Sequence, residues 1–284
     1  MLRILPHHGP TVKGVGLPVS SGPPFCYTSP IMKLFDLDRW LRGYLNIDVF
    51  DSVDESRNGL QVANKASDVT RVAFAVDASL DSFHRAIEQG AQLLFVHHGI
   101  LWNKQERVVG VLYERLRALI EGNLALYAAH LPLDQHPEVG NNIGIAHSLA
   151  LGDVEPFGTY HGMKIGYRGK LPVPSRLDRV VSRLGGEHGG QMRTLPFGPE
   201  LISTVGIVSG GAAWEVTQAV EEGLDLFITG EPLHSIYHHC LESHIHVIFA
   251  GHYQSETFGV KLLMQRLARE TGLDTIYIDV PTGL

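Results

Sequence analysis

The sequence predicts an α/β protein of two similar halves, each built on a largely parallel sheet. Three observations predict it. Strand and helix patterns alternate along the chain, the arrangement that puts helices on the faces of parallel sheets. One strand–helix–strand unit recurs: Ala86-Ile-Glu-Gln-Gly-Ala-Gln-Leu-Leu-Phe-Val96 aligns with Ala219-Val-Glu-Glu-Gly-Leu-Asp-Leu-Phe-Ile-Thr229 at a constant offset of 133 residues. A chain of 284 residues that is 44% hydrophobic and 19% charged holds enough apolar material for one large or two modest domains.

Taken in order, residues 1–31 differ from the rest. They hold six of the fifteen prolines and no acidic residue, and read as a flexible N-terminal extension. Arg3 and Lys13 are their only basic residues and no apolar run follows them, so a targeting peptide is disfavoured. Met32 opens an amphipathic helix over 34–45, and translation from Met32 would still give a complete protein. A turn-rich stretch, 51–59, leads to Leu60-Gln61-Val62. Then come a strand at 72–76, a helix at 80–89 stopped by Gly90, a strand at 93–96, a helix at 107–120 and a strand at 124–128. The strand before the repeated helix also matches, Val72–Val76 against Val205–Ser209. Residues 159–199, rich in Gly and Pro, read as strand, helix (175–184) and loop. The domain reading is 1–31 as extension, 32–152 as the first α/β half and 153–284 as the second.

Composition excludes several function classes. No run reaches the roughly 18–20 apolar residues of a membrane span. The net charge is −7, with 23 basic and 30 acidic side chains and no Lys/Arg block, which argues against phosphate-backbone binding. Two cysteines, Cys26 and Cys240, make neither a disulfide framework nor a multi-cysteine zinc site. Without the extension Cys240 stands alone, which points to a reducing, cytoplasmic setting and an inert buried thiol. The 16 histidines are the anomaly, against about six at an ordinary usage near ~2%.

In parallel α/β sheets function gathers at the carboxyl ends of strands. Four polar clusters fall there: His97-His98-Gly99 after Leu-Leu-Phe-Val, Asp134 just beyond the strand that leads to His130, Gly230-Glu231 after Leu-Phe-Ile-Thr, and Gly251-His252 after Val-Ile-Phe-Ala. A divalent-metal site between the halves explains them economically, since imidazole and carboxylate suit Zn, Fe, Mn or Ni. Adjacent His97 and His98 suit two ions side by side better than one chelate. His252 and Glu256, four residues apart, converge if a helix starts near Gly251. One carboxylate such as Glu256 can bridge two ions about 3.5–4 Å apart. Ser209-Gly210-Gly211, before a helix, has the small side chains of an anion cradle. His234 and His238 share a helix face and read as a solvated or supporting surface.

These motifs resemble the "NIF three"-like family, proteins identified with toroidal hexamers, a dinuclear metal centre and homology to type 2 GTP cyclohydrolase I. The resemblance covers 32–284 and rests on Asn58-Gly-Leu-Gln-Val62, Val96-His-His-Gly99, Ala129-His-x-Pro-Leu-Asp134, Gly140-Asn-Asn142, Ile228-Thr-Gly-Glu231 and Ala250-Gly-His-x-x-x-Glu256. It implies metal ligands His97, His98, Asp134, His252 and Glu256, with Glu256 bridging, His98 and Asp134 on one ion, and His97 and His252 on the other. It implies a short form without an inserted third domain, a hexamer, and two divalent cations per subunit. The expected function is a dinuclear metal hydrolase acting on GTP, with His130 or Glu231 moving protons. The alternative is a metal-handling or interaction protein, motivated by the further histidines His234, His238, His239, His244 and His246.

Overall fold

The computed structural model describes residues 30–66, 68–104, 106–185 and 192–284. The extension expected over 1–31 lies, but for its last two residues, outside them. Strand β1 (Met32–Lys33) runs into α1 (Leu34–Leu45), whose Leu34, Leu37, Leu41 and Leu45 are buried at helical spacing. Asn46, in the left-handed region at φ 52°, ends that helix. Next come β2 (Gly59–Val62), β3 (Asp68–Val69) paired antiparallel with β1, β4 (Arg71–Asp77), α2 (Leu80–Glu88), β5 (Leu93–His98), α3 (Gly110–Glu121), β6 (Ala125–Ala128), α4 (Leu131–Gln135) and α5 (Asn141–Ser148). The second part holds β7 (Gly152–Tyr160), β8 (Met163–Ser175), α6 (Leu177–Gly185), β9 (Arg193–Pro196), β10 (Ile202–Ile207), α7 (Val216–Glu221), β11 (Leu226–Thr229), α8 (Tyr237–Glu242), β12 (His246–Phe249), α9 (His252–Ser255), α10 (Thr257–Thr271) and β13 (Asp274–Tyr277).

Two main sheets result. The first has the order β13-β4-β5-β6-β2, parallel except for β2. Val72, Phe74 and Val76 of β4 face α1 and α10, while Ala73 and Ala75 face α2 and α3, so alternate residues feed two cores. The second sheet has the order β7-β8-β10-β11-β12-β9, with a parallel centre β10-β11-β12 and antiparallel flanks. Ile228 and Ile248 pack toward α5 and α6, Phe227 and Val247 toward α7 and α8. The last helix and strand, α10 and β13, join the first sheet, so both ends of the described chain build it. Among the described residues no helix is long and apolar enough to cross a membrane.

The repeat is physical as well as textual. Gly90 and Gly223, at φ +71° and +67°, end equivalent helices. The next amide then returns to the same carbonyl, Ala91 to Ala86 at 3.0 Å and Leu224 to Ala219 at 2.9 Å. One side chain after that clamps the entry of the preceding strand. Gln92 Oε1 accepts from the amides of Thr70 and Arg71 (2.9 and 3.0 Å), and Asp225 Oδ2 from those of Ser203 and Thr204 (2.8 and 2.9 Å).

The pattern reading missed the long hairpin β7–β8 and strand β9 within the stretch taken as strand, helix and loop. Its glycines and prolines hide it. Pro156 sits on the edge strand β7, where a missing amide costs no ladder bond. Gly166 is required by close approach, since a Cβ there would lie 2.1 Å from the Ile207 carbonyl oxygen.

Candidate metal centre

The carboxyl ends of β5, β6, β10, β11 and β12 face a common cavity of about 830 Å³. His97 and His98 are the last residues of β5, with ring centroids 4.6 Å apart. Asp134 lies on α4, and His252 opens α9 one turn before Glu256. Glu256 is the hub. Its Oε1 lies 3.5 Å from His97 Nε2 and 3.2 Å from His252 Nε2, and its Oε2 lies 3.2 Å from His98 Nε2. Asp134 Oδ1 is 3.6 Å from His97 Nε2.

Among the described residues, donor atoms within 4.8 Å of one another form three groups of three: His97/Asp134/Glu256, His98/His252/Glu256 and His97/His98/His130. The five residues expected as ligands are therefore together, with His130 beside them. The grouping differs from the one the resemblance implies. Asp134 falls with His97, and His98 with His252. The reason is local: the His97 ring turns inward to the Ala129 carbonyl, toward α4, while His98, held by Asp77, faces the cavity.

Four imidazoles share one orientation. Nδ1 donates to the Ala129 carbonyl from His97 (3.0 Å), to Asp77 from His98 (2.8 Å), to Asp54 from His130 (2.9 Å) and to Glu231 from His252 (2.7 Å). Each bond places the proton on Nδ1 and leaves Nε2 free to act as a ligand or base. His97 Nε2 and Glu256 Oε2 are buried without a hydrogen-bond partner. Such orphaned atoms, in a set of imidazole and carboxylate donors, fit a metal cation.

The electrostatics agree. Burial alone would push the His97 imidazole down, yet Asp134 and Glu256 raise it to about 10. Against the same burial, Glu256 and Glu231 raise His252 to about 9. Burial would lift Glu256, but the charges of His97 and His98 with the bond to His252 hold it well below the usual carboxylate range. A buried cluster of this kind demands positive charge, as protons or as metal.

Supporting residues explain motifs that composition left mute. Asp54, in the turn-rich stretch, is buried and accepts from the His130 ring, the Ser56 and Leu131 amides and the Asn58 side chain. Asn58 Oδ1 in turn accepts from the His130 amide at 2.8 Å. Asn141 donates to Asp134 and accepts from the Gly259 amide, which ties α4 to α10. Asn142 accepts from the Ser209 amide, and the Ser209 hydroxyl donates to Asp134 at 3.0 Å. Ser209-Gly210-Gly211 thus serves the carboxylates rather than an anion. A Cβ on Gly210, at φ +66°, would lie 2.3 Å from Glu256 Oε1.

The remaining histidines stand apart. Among the described residues no group of three donors includes His234, His238, His239, His244 or His246. His246 is buried, with Nε2 donating to the Pro199 carbonyl and Nδ1 accepting from the Gly198 amide. Cys240 is buried, and burial pushes its thiol up to about 11, as expected of an inert cysteine.

Known proteins share this arrangement's sequence and fold. A protein of Treponema pallidum is 41% identical over 88% of this chain and 99% of its own length, and one of Deinococcus radiodurans is 44% identical over 88% and 94%. Both carry the name "GTP cyclohydrolase 1 type 2 homolog". The crystal structure of TTHA1606 from Thermus thermophilus superposes with a TM-score of 0.82 at 41% identity, covering 89% of this chain and all of that one. Residues 32–282 match the model of the Duf34/NIF3 (NGG1p interacting factor 3) family, to which this chain belongs.

Proposed function

We propose that the protein is a dinuclear divalent-metal hydrolase acting on a purine nucleotide, of the kind the name of its relatives suggests, and that it works in the cytoplasm as a homo-oligomer, a hexamer by family resemblance. One observation carries the reading: a single buried carboxylate, Glu256, turns one oxygen to His97 and His252 and the other to His98. His97, Asp134 and Glu256 would hold one ion, His98, His252 and Glu256 the other, from the set Zn, Fe, Mn or Ni. Divalent ions there would supply Lewis-acid charge and make water acidic enough to act as a nucleophile at neutral pH.

The chain's own residues supply the rest. His130, its Nδ1 proton fixed on Asp54, has Nε2 free to take a proton from water, beside Trp102 at 5.3 Å between ring centroids. Glu231 orients His252 through one oxygen, and its Oε2 lies toward Gly211 at the cavity wall, where it can relay a second proton. Aromatic and aliphatic walls, among them Trp102, Tyr160 and Val208, exclude water around the substrate. In the reaction inferred from the relatives' name, one water adds to C8 of the guanine and breaks its bond to one ring nitrogen, and a second water hydrolyses the resulting formamide, releasing formate and leaving an amine.

The test is formate release from GTP by protein reconstituted separately with Zn, Mn and Fe, beside a Glu256→Gln variant whose metal content is measured. Turnover in the parent and its loss with the metals in the variant is the expected result. A fully metallated parent that turns over no GTP refutes the reaction.

A further inference from the structure

Two half-buried charged side chains lining the cavity are bonded to no other described residue. Arg115, on α3, makes no hydrogen bond and no ion pair, although the lining holds seven carboxylate residues. Every other lining residue that can carry positive charge is an imidazole of the centre. The Glu215 carboxylate, just before α7, likewise has no partner outside its own backbone. A half-buried guanidinium held away from seven carboxylates keeps its five N–H donors for an external acceptor.

The two groups come from opposite halves and line the cavity that holds the candidate metal centre. Arg115 lines the same cavity as Ser79 and Asp77, and Asp77 holds His98. His98 packs against His130, which is bonded to Asp54. Beyond Asp54 stands Tyr160, whose hydroxyl is pushed up by burial and by Glu55, Asp54 and Glu215. Arg115 of the first half and Glu215 of the second thus line the one cavity into which His98, His130 and His252 project.

We propose that Arg115 anchors a phosphoryl group of the substrate and that Glu215 accepts N–H donors from the opposite end. This deepens the nucleotide reading and rests on it. A guanidinium fork matches phosphate oxygens in pairs. A carboxylate matches the adjacent ring N–H and amino group on the far edge of a guanine. In that base C8 lies on the ribose side, away from the N–H edge. A nucleotide held at both ends presents C8 to the middle of the cavity, where the metal ligands converge. Away from the metal centre the carboxylates of the lining repel phosphate, and Arg115 is the one permanent cation there to receive it.

The experiment is equilibrium dialysis of zinc-loaded protein against pyrophosphate, GTP and guanosine, for the parent and for Arg115→Ala, Arg115→Lys and Glu215→Gln. Zinc content and melting temperature confirm that each variant is folded and loaded. The expected result is that Arg115→Ala weakens pyrophosphate and GTP by about tenfold or more and leaves guanosine within about twofold. Arg115→Lys falls between, having charge without the fork. Glu215→Gln weakens GTP and guanosine alike and spares pyrophosphate. Parent-like binding of pyrophosphate and GTP by Arg115→Ala overturns the anchor, as does a parent that binds neither. Guanosine binding indifferent to Glu215→Gln overturns the ring-edge contact. Loss of pyrophosphate in Arg115→Ala, with no formate released by the parent, upholds the anchor and refutes only the reaction.

Discussion

In the first half Gln92, and in the second Asp225, hold the same pair of strand-entry amides, whereas the strand exits at the same offset share nothing. His97 corresponds to Gly230, His98 to Glu231 and Asp77 to Gly210. The first half fills these positions with donors and the side chain that orients one of them. The second half leaves room at two of them and at the third carries Glu231, which orients His252. A Cβ on Gly230 would lie 2.8 Å from the His252 Cα, and one on Gly210 would strike Glu256. A duplicated frame can therefore build an asymmetric centre because the clamps that set the strands are remote from the ends that carry the chemistry. At these strand ends the first copy supplies proposed ligands, while the second supplies the space into which His252 and Glu256, from farther along its own half, enter.

The most severe break of this comparison is to put a side chain into that space. Gly210→Ala introduces a Cβ at 2.3 Å from Glu256 Oε1 in a backbone region that L residues disfavour. Both proposed ions depend on that carboxylate, so metal content after dialysis should fall for both, by more than ~100-fold in affinity. At the equivalent position, Asp77→Ala frees His98 Nδ1 but displaces no proposed ligand, and affinity should fall about 10- to 100-fold. Equal losses in the two variants would show that Gly210 acts through folding rather than through room for Glu256. Metal analysis beside a melting curve separates the two.

Much of this was legible in the sequence, for identifiable reasons. The helix at 34–45 is found to the residue, because four leucines at 34, 37, 41 and 45 leave no other face to bury. The repeat and the His-His and His-x-x-x-Glu clusters are visible since donors at strand ends are chemically conspicuous. The ladder adds a detail the motifs conceal. Ala129 bonds to the carbonyl of Val96 as Ala250 does to that of Thr229, so His130 falls opposite Gly251, and the two His-x-x-x-acid motifs are one residue out of step. Hidden altogether were Asp54 and Asp77, single acids just past a turn and at the end of β4, which gain meaning only when a histidine from another strand arrives. The β7–β8 hairpin was hidden too, because Gly162 alone marks its turn while Gly158, Gly166 and Gly169 serve close packing within the strands.

A smaller effect sharpens the comparison at its shared end. If Gln92 and Asp225 are equivalent clamps, Gln92→Ala and Asp225→Ala each leave two strand-entry amides unpaired. Each should lower stability by about 2 kcal/mol in urea unfolding, with metal stoichiometry unchanged. The loss should be alike despite an amide in one copy and a carboxylate in the other, because the acceptor oxygen is what the amides use. A cost confined to one variant would mean that the frame is held differently in the two halves.

The smallest expected effect concerns a feature the second half lacks. Gly251, opposite His130, has no side chain to hold, so the Asp54 cradle belongs to the first half alone. Burial would raise the Asp54 carboxyl, but its bond to His130, the charge of His130, Asn58 and the Ser56 amide outweigh this and lower it from its ordinary value. A carboxyl whose folded pKa is depressed stabilises the fold fully above its unfolded pKa, near ~3.9. That contribution is lost as pH falls through the folded value, because the unfolded chain takes up the proton first. Asp54→Asn should therefore be less stable than the parent by about 1 kcal/mol at neutral pH, and the gap should close below about pH 4. Urea titrations from neutral to acid pH read both quantities. A gap that stays constant into acid would show that Asp54 acts by shape and hydrogen bonding alone. His130 would then be held by a neutral frame, and the proton-transfer role proposed for it would lose its electrostatic support.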